Sequence, residues 1–265
     1  MTKLLSSLTT VAFAASLFSP FTTHAAELTS YFNSGDLIKG ASTQAVYYFA
    51  QDGRRYVFPN EKTYFTWYPD FSGVITIPDE HLSSIPLGRT NVTYRPGAKM
   101  IKITTDPKTY VIDRGGILRH VTSEQLARTL YNLNWNDRIE DVPDSYFSNY
   151  RVGTPIQTAS DYNPADVMTL TPSILEDKGF DRTKVTITIG NTRTGFVPTT
   201  FTVKKGTQVT WTNTDVMDHT VKGRNWESPV LRPGETWSYT FNSVGSFDYQ
   251  CGIHSVMQGT VNVVN

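Results

Sequence analysis

The sequence predicts a multidomain protein: an α+β tandem-repeat N-terminal domain followed by an all-β C-terminal domain. Three observations carry that prediction. Apolar and turn residues recur at a constant offset through the first half of the chain. A stretch rich in Thr, Ser, Pro and Asp then interrupts the pattern. From Lys184 onward, short alternating strands follow one another with no helical period between them.

The repeat is read from matched residues. Leu37-Ile38-Lys39 aligns with Met100-Ile101-Lys102, Tyr47 with Tyr110, and Gly53 with Gly116. Phe58 to Glu61 aligns with Val121 to Glu124, Pro78-Asp79 with Pro143-Asp144, and Gly88 with Gly153. The offset stays at 63 to 65 positions, which marks a tandem duplication spanning repeats 37–88 and 100–153. In the first copy, Ala45 to Phe49 and Arg54 to Phe58 alternate about Asp52-Gly53, a hairpin signal. Asn60 and Ser123 are placed to cap short helices, with Glu61 and Glu124 in the first turn. Asp79 and Asp144, each after a proline, start a second helix in each copy. The aromatic run from Tyr47 to Tyr68 reads first as core and second as a stacking surface for glycans. Asp52 and Asp113 read as turn residues.

Residues 154–182 read as a linker, because their composition favours turns; Ser173 to Lys178 is long enough for one helical turn. Strands are then expected at Val185 to Ile189, Thr200 to Val203, Gln208 to Asn213, Thr236 to Phe241, Ser246 to Gln250 and Thr260 to Val264. Lys205-Gly206, Pro233-Gly234 and Val244-Gly245 supply turns between them, and strands of this length and spacing make a sandwich or barrel.

The 265 residues carry no net charge, which leaves no electrostatic case for nucleic acid as a partner. The first 26 residues have a basic start at Lys3, a short apolar run from Leu4 to Phe18 and small residues at Ala25-Ala26. That is the pattern of a signal peptide, so the mature chain (27–153 repeats, 154–182 linker, 183–265 β domain) is expected to be exported. Periplasm, cell surface and medium all fit, and no further apolar run of membrane length follows. The single cysteine, Cys251, forms no internal disulfide, and a lone thiol in an oxidising compartment needs burial or a metal.

A metal is what the surrounding residues suggest. Cys251-Gly252-Ile253-His254-Ser255-Val256-Met257 places a thiolate, an imidazole and a thioether on one short loop, and His219 lies some thirty residues upstream. A site that serves both Cu(I) and Cu(II) needs two imidazoles and a thiolate, with a weak axial thioether. His219, Cys251, His254 and Met257 are therefore the candidate metal ligands. Five histidines in all, one of them in the leader (His24), are too few for multicopper chemistry. His81 and His120 read as ordinary repeat residues.

Residues 183–265 resemble the cupredoxin family, most closely its plastocyanin- and amicyanin-like members. Beyond the ligands, the resemblance rests on Phe196-Val197-Pro198, Val203 to Asn213, His219-Thr220-Val221, Leu231 to Glu235, Phe247 to Gln250 and Gly259-Thr260-Val261. It implies an eight-stranded Greek-key sandwich, one type 1 copper per chain, and outer-sphere single-electron transfer rather than catalysis. A redox partner would dock near the exposed edge of His254, where Val216, Met217, Ile253 and Val256 offer an apolar collar. The alternatives are copper holding or delivery, and surface adhesion with an accessory copper domain. The repeats resemble modules of exported bacterial surface proteins and suggest attachment to a cell-envelope component or partner docking.

Two departures from the family pattern bear on the site. Thr220 stands where many relatives have the Asn that ties the two ligand loops together. Ile253 stands where many have Pro, so its N–H is expected to give the Cys251 sulfur a second amide hydrogen bond and raise the potential relative to Ile253→Pro.

Overall fold

The computed structural model describes residues 32–180 and 183–265, so the leader read at 1–26 lies outside the described residues. Among the described residues no helix is long and apolar enough to cross a membrane.

The first repeat segment runs β1 (Leu37–Gly40), β2 (Tyr47–Phe49), β3 (Arg55–Val57), α1 (Glu61–Tyr64), β4 (Val74–Ile77) and α2 (Asp79–Ser84). The second runs β5 (Met100–Ile103), β6 (Asp106–Asp113), β7 (Ile117–His120), α3 (Glu124–Tyr131), β8 (Ile139–Val142), α4 (Asp144–Phe147) and β9 (Arg151–Val152). The strand orders are β3-β2-β1-β4 and β8-β5-β6-β7-β9. In both, a meander of three antiparallel strands takes a parallel fourth strand beside its first: β4 on β1, and β8 on β5. A parallel bridge between Arg55 and Leu87 occupies the place in the first sheet that the β7–β9 pair holds in the second.

Local chemistry sets the helix starts. The Asn60 Oδ1 accepts from the Thr63 amide at 2.8 Å, and the Ser123 Oγ accepts from the Leu126 amide at 3.2 Å, each satisfying one otherwise unpaired first-turn donor. Most of the aromatic run is core: Tyr48, Tyr56, Phe58 and Tyr64 are buried together with Leu37 and Val92.

The segment 154–182 carries more structure than its composition suggests. Asn163 caps α5 (Pro164–Leu170) through its side chain, and Pro164 opens that helix, where a missing N–H costs nothing. After it comes α6 (Ile174–Lys178), closed by Gly179 in the left-handed conformation. Ile156 and Tyr162 are buried beside Met100 and Val111 of the second sheet, and Ile174 is buried with the first. The turn-forming residues define the corners of this segment, while its few apolar side chains pin it down.

The C-terminal part is two four-stranded sheets. One has the order β11 (Phe196–Val197), β10 (Lys184–Ile189), β13 (Gln208–Asn213), β15 (Thr236–Thr240). The other runs β12 (Thr200–Lys204), β17 (Gln258–Val264), β16 (Gly245–Gln250), β14 (Lys222–Gly223). Along β13 and β17 buried and accessible positions alternate, so Val209, Trp211, Val261 and Val263 face the shared core. Trp211 lies at its centre, in ring contact with Trp226, Trp237, Phe241 and Tyr249.

The two parts share an interface. Val197 is buried among Phe32, Ile38, Phe49 and Ile77 of the repeat region. The Thr186 amide donates to the Gln51 carbonyl at 2.7 Å, and the Thr202 amide to the Asn33 Oδ1 at 2.7 Å. The β2–β3 turn makes this approach at Gly53, whose φ of 71° is left-handed and whose missing Cβ would stand 2.9 Å from the Thr186 methyl.

Candidate metal centre

Strand ends bring the candidate ligands to one end of the sandwich. β13 ends at Asn213, and its loop returns through His219, which makes a two-way backbone bridge with Leu231 (3.0 and 2.7 Å). Asn213 is fully buried and pins this loop: its Nδ2 donates to the Met217 and Leu231 carbonyls at 2.7 and 2.8 Å, and its Oδ1 accepts from the Asp215 amide at 3.0 Å. The second loop joins β16 to β17. The Cys251 amide donates to the Met257 carbonyl at 2.9 Å and the Met257 amide to the His254 carbonyl at 3.0 Å, closing a tight turn over all three loop candidates.

Within this frame His219, Cys251 and His254 converge. The Cys251 sulfur lies 3.7 Å from the His219 Nδ1 and 3.8 Å from the His254 Nδ1, and the two nitrogens lie 3.2 Å apart. A transition ion held at about 2.3 Å from sulfur and about 2.0 Å from nitrogen, with bond angles between tetrahedral and trigonal, requires donor separations of about 3.2 to 3.8 Å. The residues fit such an ion. Met257 sits at the loop's end, 1% exposed, and shares the core cluster with Cys251.

Supporting contacts orient the donors. The Asp215 carboxylate lies 3.0 Å from the His219 Nε2, which assigns the ring proton to Nε2 and leaves the Nδ1 lone pair facing the sulfur. Partial burial pushes the Asp215 carboxyl up, but hydrogen bonds from His219 and the Val216 amide outweigh it and hold the group below the usual carboxylate range. Two backbone amides point at the sulfur, from Thr220 and His254, each at 3.4 Å. Both amides are held there by the backbone of the two ligand loops.

The second amide on the sulfur is therefore not the one expected. It comes from His254, three residues on, because the turn brings that N–H back over the sulfur. Ile253→Pro would remove neither bond, so the potential shift expected from that substitution loses its basis. The loop tie, by contrast, is present in another form. The Thr220 Oγ1 accepts from the Gly252 amide at 2.7 Å, so the residue that replaces Asn links the two ligand loops itself. Thr220→Val is expected to leave that amide unpaired, costing about 1–3 kcal/mol in urea unfolding of the metal-free protein and about 10–100-fold in copper affinity.

His254 is half-buried, while His219 is fully buried. Around His254 the two loops expose Val216 (87%), Val256 (74%), Ile253 (49%) and Met217 (48%). His81, half-buried on α2, and His120, its ring tilted at 54° and 5.7 Å from that of Tyr110, stand apart from this cluster. Sequence reasoning passed over Asp215 and Asn213. The four-residue step from Asp215 to His219 was the available signal, and nothing in the sequence marked Asn213.

Comparison with known proteins bears on this geometry. Residues 183–264 match the family model for copper binding proteins of the plastocyanin/azurin family. This segment is a cupredoxin. Cupredoxins bind one copper, and His219, Cys251, His254 and Met257 are positioned as possible ligands. Amicyanin-alpha of Methylorubrum extorquens is 40% identical over 68 residues, covering 23% of this chain and 57% of the relative. Amicyanin of Paracoccus denitrificans is 34% identical over 68 residues, 23% of this chain and 52% of the relative. Among solved structures, a purple cupredoxin from Nitrosopumilus maritimus is 27% identical, covering 30% of this chain and 98% of its own, with a TM-score of 0.29. The chain thus spans little more than half the length of these two curated relatives, and the cupredoxin accounts for about a third of this chain.

Proposed function

We infer that the chain is an exported single-electron carrier with a type 1 copper site made by His219, Cys251, His254 and Met257. The observation that carries this reading is the set of three donor atoms 3.2 to 3.8 Å apart at one end of a cupredoxin sandwich. Bound copper supplies a one-electron couple. The chain supplies the rest. Asn213, Asp215 and Thr220 hold the donors in one arrangement, so little need move when the charge changes. The core beneath excludes water, and the half-buried His254 ring, collared by Val216, Met217, Ile253 and Val256, is the place where a redox partner would dock.

The organisation that goes with this function is a 1–26 leader, a repeat unit over 27–153 with copies at 37–88 and 100–153, a connector at 154–182 and the copper domain at 183–265. Matching strand order in the two N-terminal sheets supports the duplication. The repeats then serve to hold the carrier at the cell envelope or to a partner.

Voltammetry of the copper-loaded protein beside a competing Cu(I) chelator separates carrier from delivery protein. Reversible cycling with copper retained is expected; metal lost to the chelator within the cycling time would favour delivery. An envelope role predicts that Cys251→Ser still co-sediments with envelope fractions as the unmutated chain does. Equal loss of both copper and sedimentation would contradict an independent attachment module.

A further inference from the structure

A second candidate site lies away from the copper end. The β6–β7 turn, residues 148–151, α6, Tyr56 of β3 and the segment between the two repeats (Thr90, Thr93) line a half-open cavity of about 330 Å3. Lys178 lines it from α6. Its Nζ donates to the Thr90 Oγ1 at 3.3 Å and the Asn91 carbonyl at 3.2 Å, and stands 4.4 Å from the centre of the Tyr56 ring. Among the described residues no carboxylate lies within ion-pair distance of Lys178, nor of Arg151 on the facing wall.

The carboxylates nearby are already engaged. The Asp177 Oδ1 accepts from the Gly115 amide at 2.8 Å, with its other oxygen 3.5 Å from the Thr93 hydroxyl, and the Asp52 carboxylate accepts from the Tyr56 hydroxyl at 2.6 Å. Arg54 and Arg89 add positive charge beside Tyr56, and Arg114 beside Asp177. The cavity lining itself carries two cationic side chains, Lys178 and Arg151, against one acidic one, Asp177. Burial pushes the Lys178 ammonium down and the Asp177 carboxyl up, as expected where charge lacks a full partner. Gly115 on the cavity lining is exposed, with φ of 73° and no side chain, so the backbone there can be closely approached.

We propose that this cavity binds a phosphate-bearing anion, with Lys178 as the point-charge contact and Arg151 as the bidentate fork. A phosphate monoester carries close to two charges near neutral pH, which suits the local excess better than one carboxylate, and Lys and Arg are the side chains that phosphate oxygens pair with best. The cavity volume is at the small end of ligand sites. The site needs nothing from the copper centre. It deepens the attachment reading of the repeats where the phosphate belongs to an envelope polymer, and stands apart from it where the phosphate is free.

The test is calorimetric titration of the mature full-length chain with inorganic pyrophosphate at low salt. One-to-one binding is expected, weakened at least about tenfold by Lys178→Met and by Arg151→Ala and unchanged by Lys108→Ala, which lies outside the cavity. Arg151 is exposed, so its variant keeps the test valid if Lys178→Met does not fold. Long-chain polyphosphate binding more tightly than pyrophosphate would assign a polymer, and pyrophosphate binding alone a small ligand. No binding by the unmutated chain, no effect of Arg151→Ala, or equal binding of citrate would overturn the proposal. A null titration beside intact envelope co-sedimentation would remove this site while leaving attachment standing.

Discussion

Cys251→Ser is expected to lower copper affinity by at least about hundredfold and to abolish reversible electron transfer. Outer contacts that merely orient a ligand are worth about 10–100-fold in affinity, and Cys251 is a candidate ligand itself. Serine is close in size, so the fully buried position is not reshaped. What changes is the donor: a hydroxyl does not ionise near neutral pH, and the amides of Thr220 and His254, each 3.4 Å from the sulfur, then face a neutral oxygen. His219 and His254 remain 3.2 Å apart and able to bind divalent ions weakly. Competition titration against a copper chelator measures the loss. Affinity within about tenfold of the unmutated protein would mean that the sulfur is not a ligand.

Trp211→Ala is expected to cost the C-terminal domain about 3–5 kcal/mol. Trp211 is fully buried, with ring centroids of Trp226, Trp237 and Tyr249 at 5.6, 5.6 and 5.4 Å, so its removal leaves a cavity that neighbours from two sheets and a loop cannot close together. Domains of this size have only about 5–15 kcal/mol in total, so the variant would be close to unfolded without metal. Trp211→Phe is expected to cost much less. It keeps an aromatic ring and most of the burial at this position. Urea unfolding of the metal-free proteins followed by far-UV circular dichroism gives both values. A loss below about 1 kcal/mol for the alanine variant would place Trp211 outside the domain's cooperative core.

Legibility in the sequence followed physical cause. The longer strands of the C-terminal domain were readable because a half-buried strand must alternate, as β13 and β17 do. The two-residue strands β11 and β14 were not, since a period needs more than one repeat to register. Helix starts at Asn60 and Ser123 were visible because a capping side chain is a local device. By contrast α5 was hidden in a segment whose Asn, Pro and Thr residues also describe a turn, and the burial of Ile156 and Tyr162 that fixes its path is tertiary.

The site divides the same way. Cys251, His254 and Met257 could be read off one loop, because chemistry demands those side chains at close spacing. The contacts that aim them are made between loops distant in sequence. Thr220 reaches across to Gly252, and the amide on the sulfur belongs to His254 and not Ile253, a matter of turn geometry that residue identity does not encode. Asn213 shows the limit most clearly. A buried amide holding three backbone groups of one loop is indistinguishable, in sequence, from any strand-end asparagine.

The central claim is tested most directly by titrating the protein with Cu(II) while recording visible absorption and electron paramagnetic resonance. The account predicts an intense thiolate-to-copper absorption band with narrow hyperfine splitting, saturating at one copper per chain and missing from Cys251→Ser. A colourless complex, or copper that oxidises the thiol without forming the band, would contradict it.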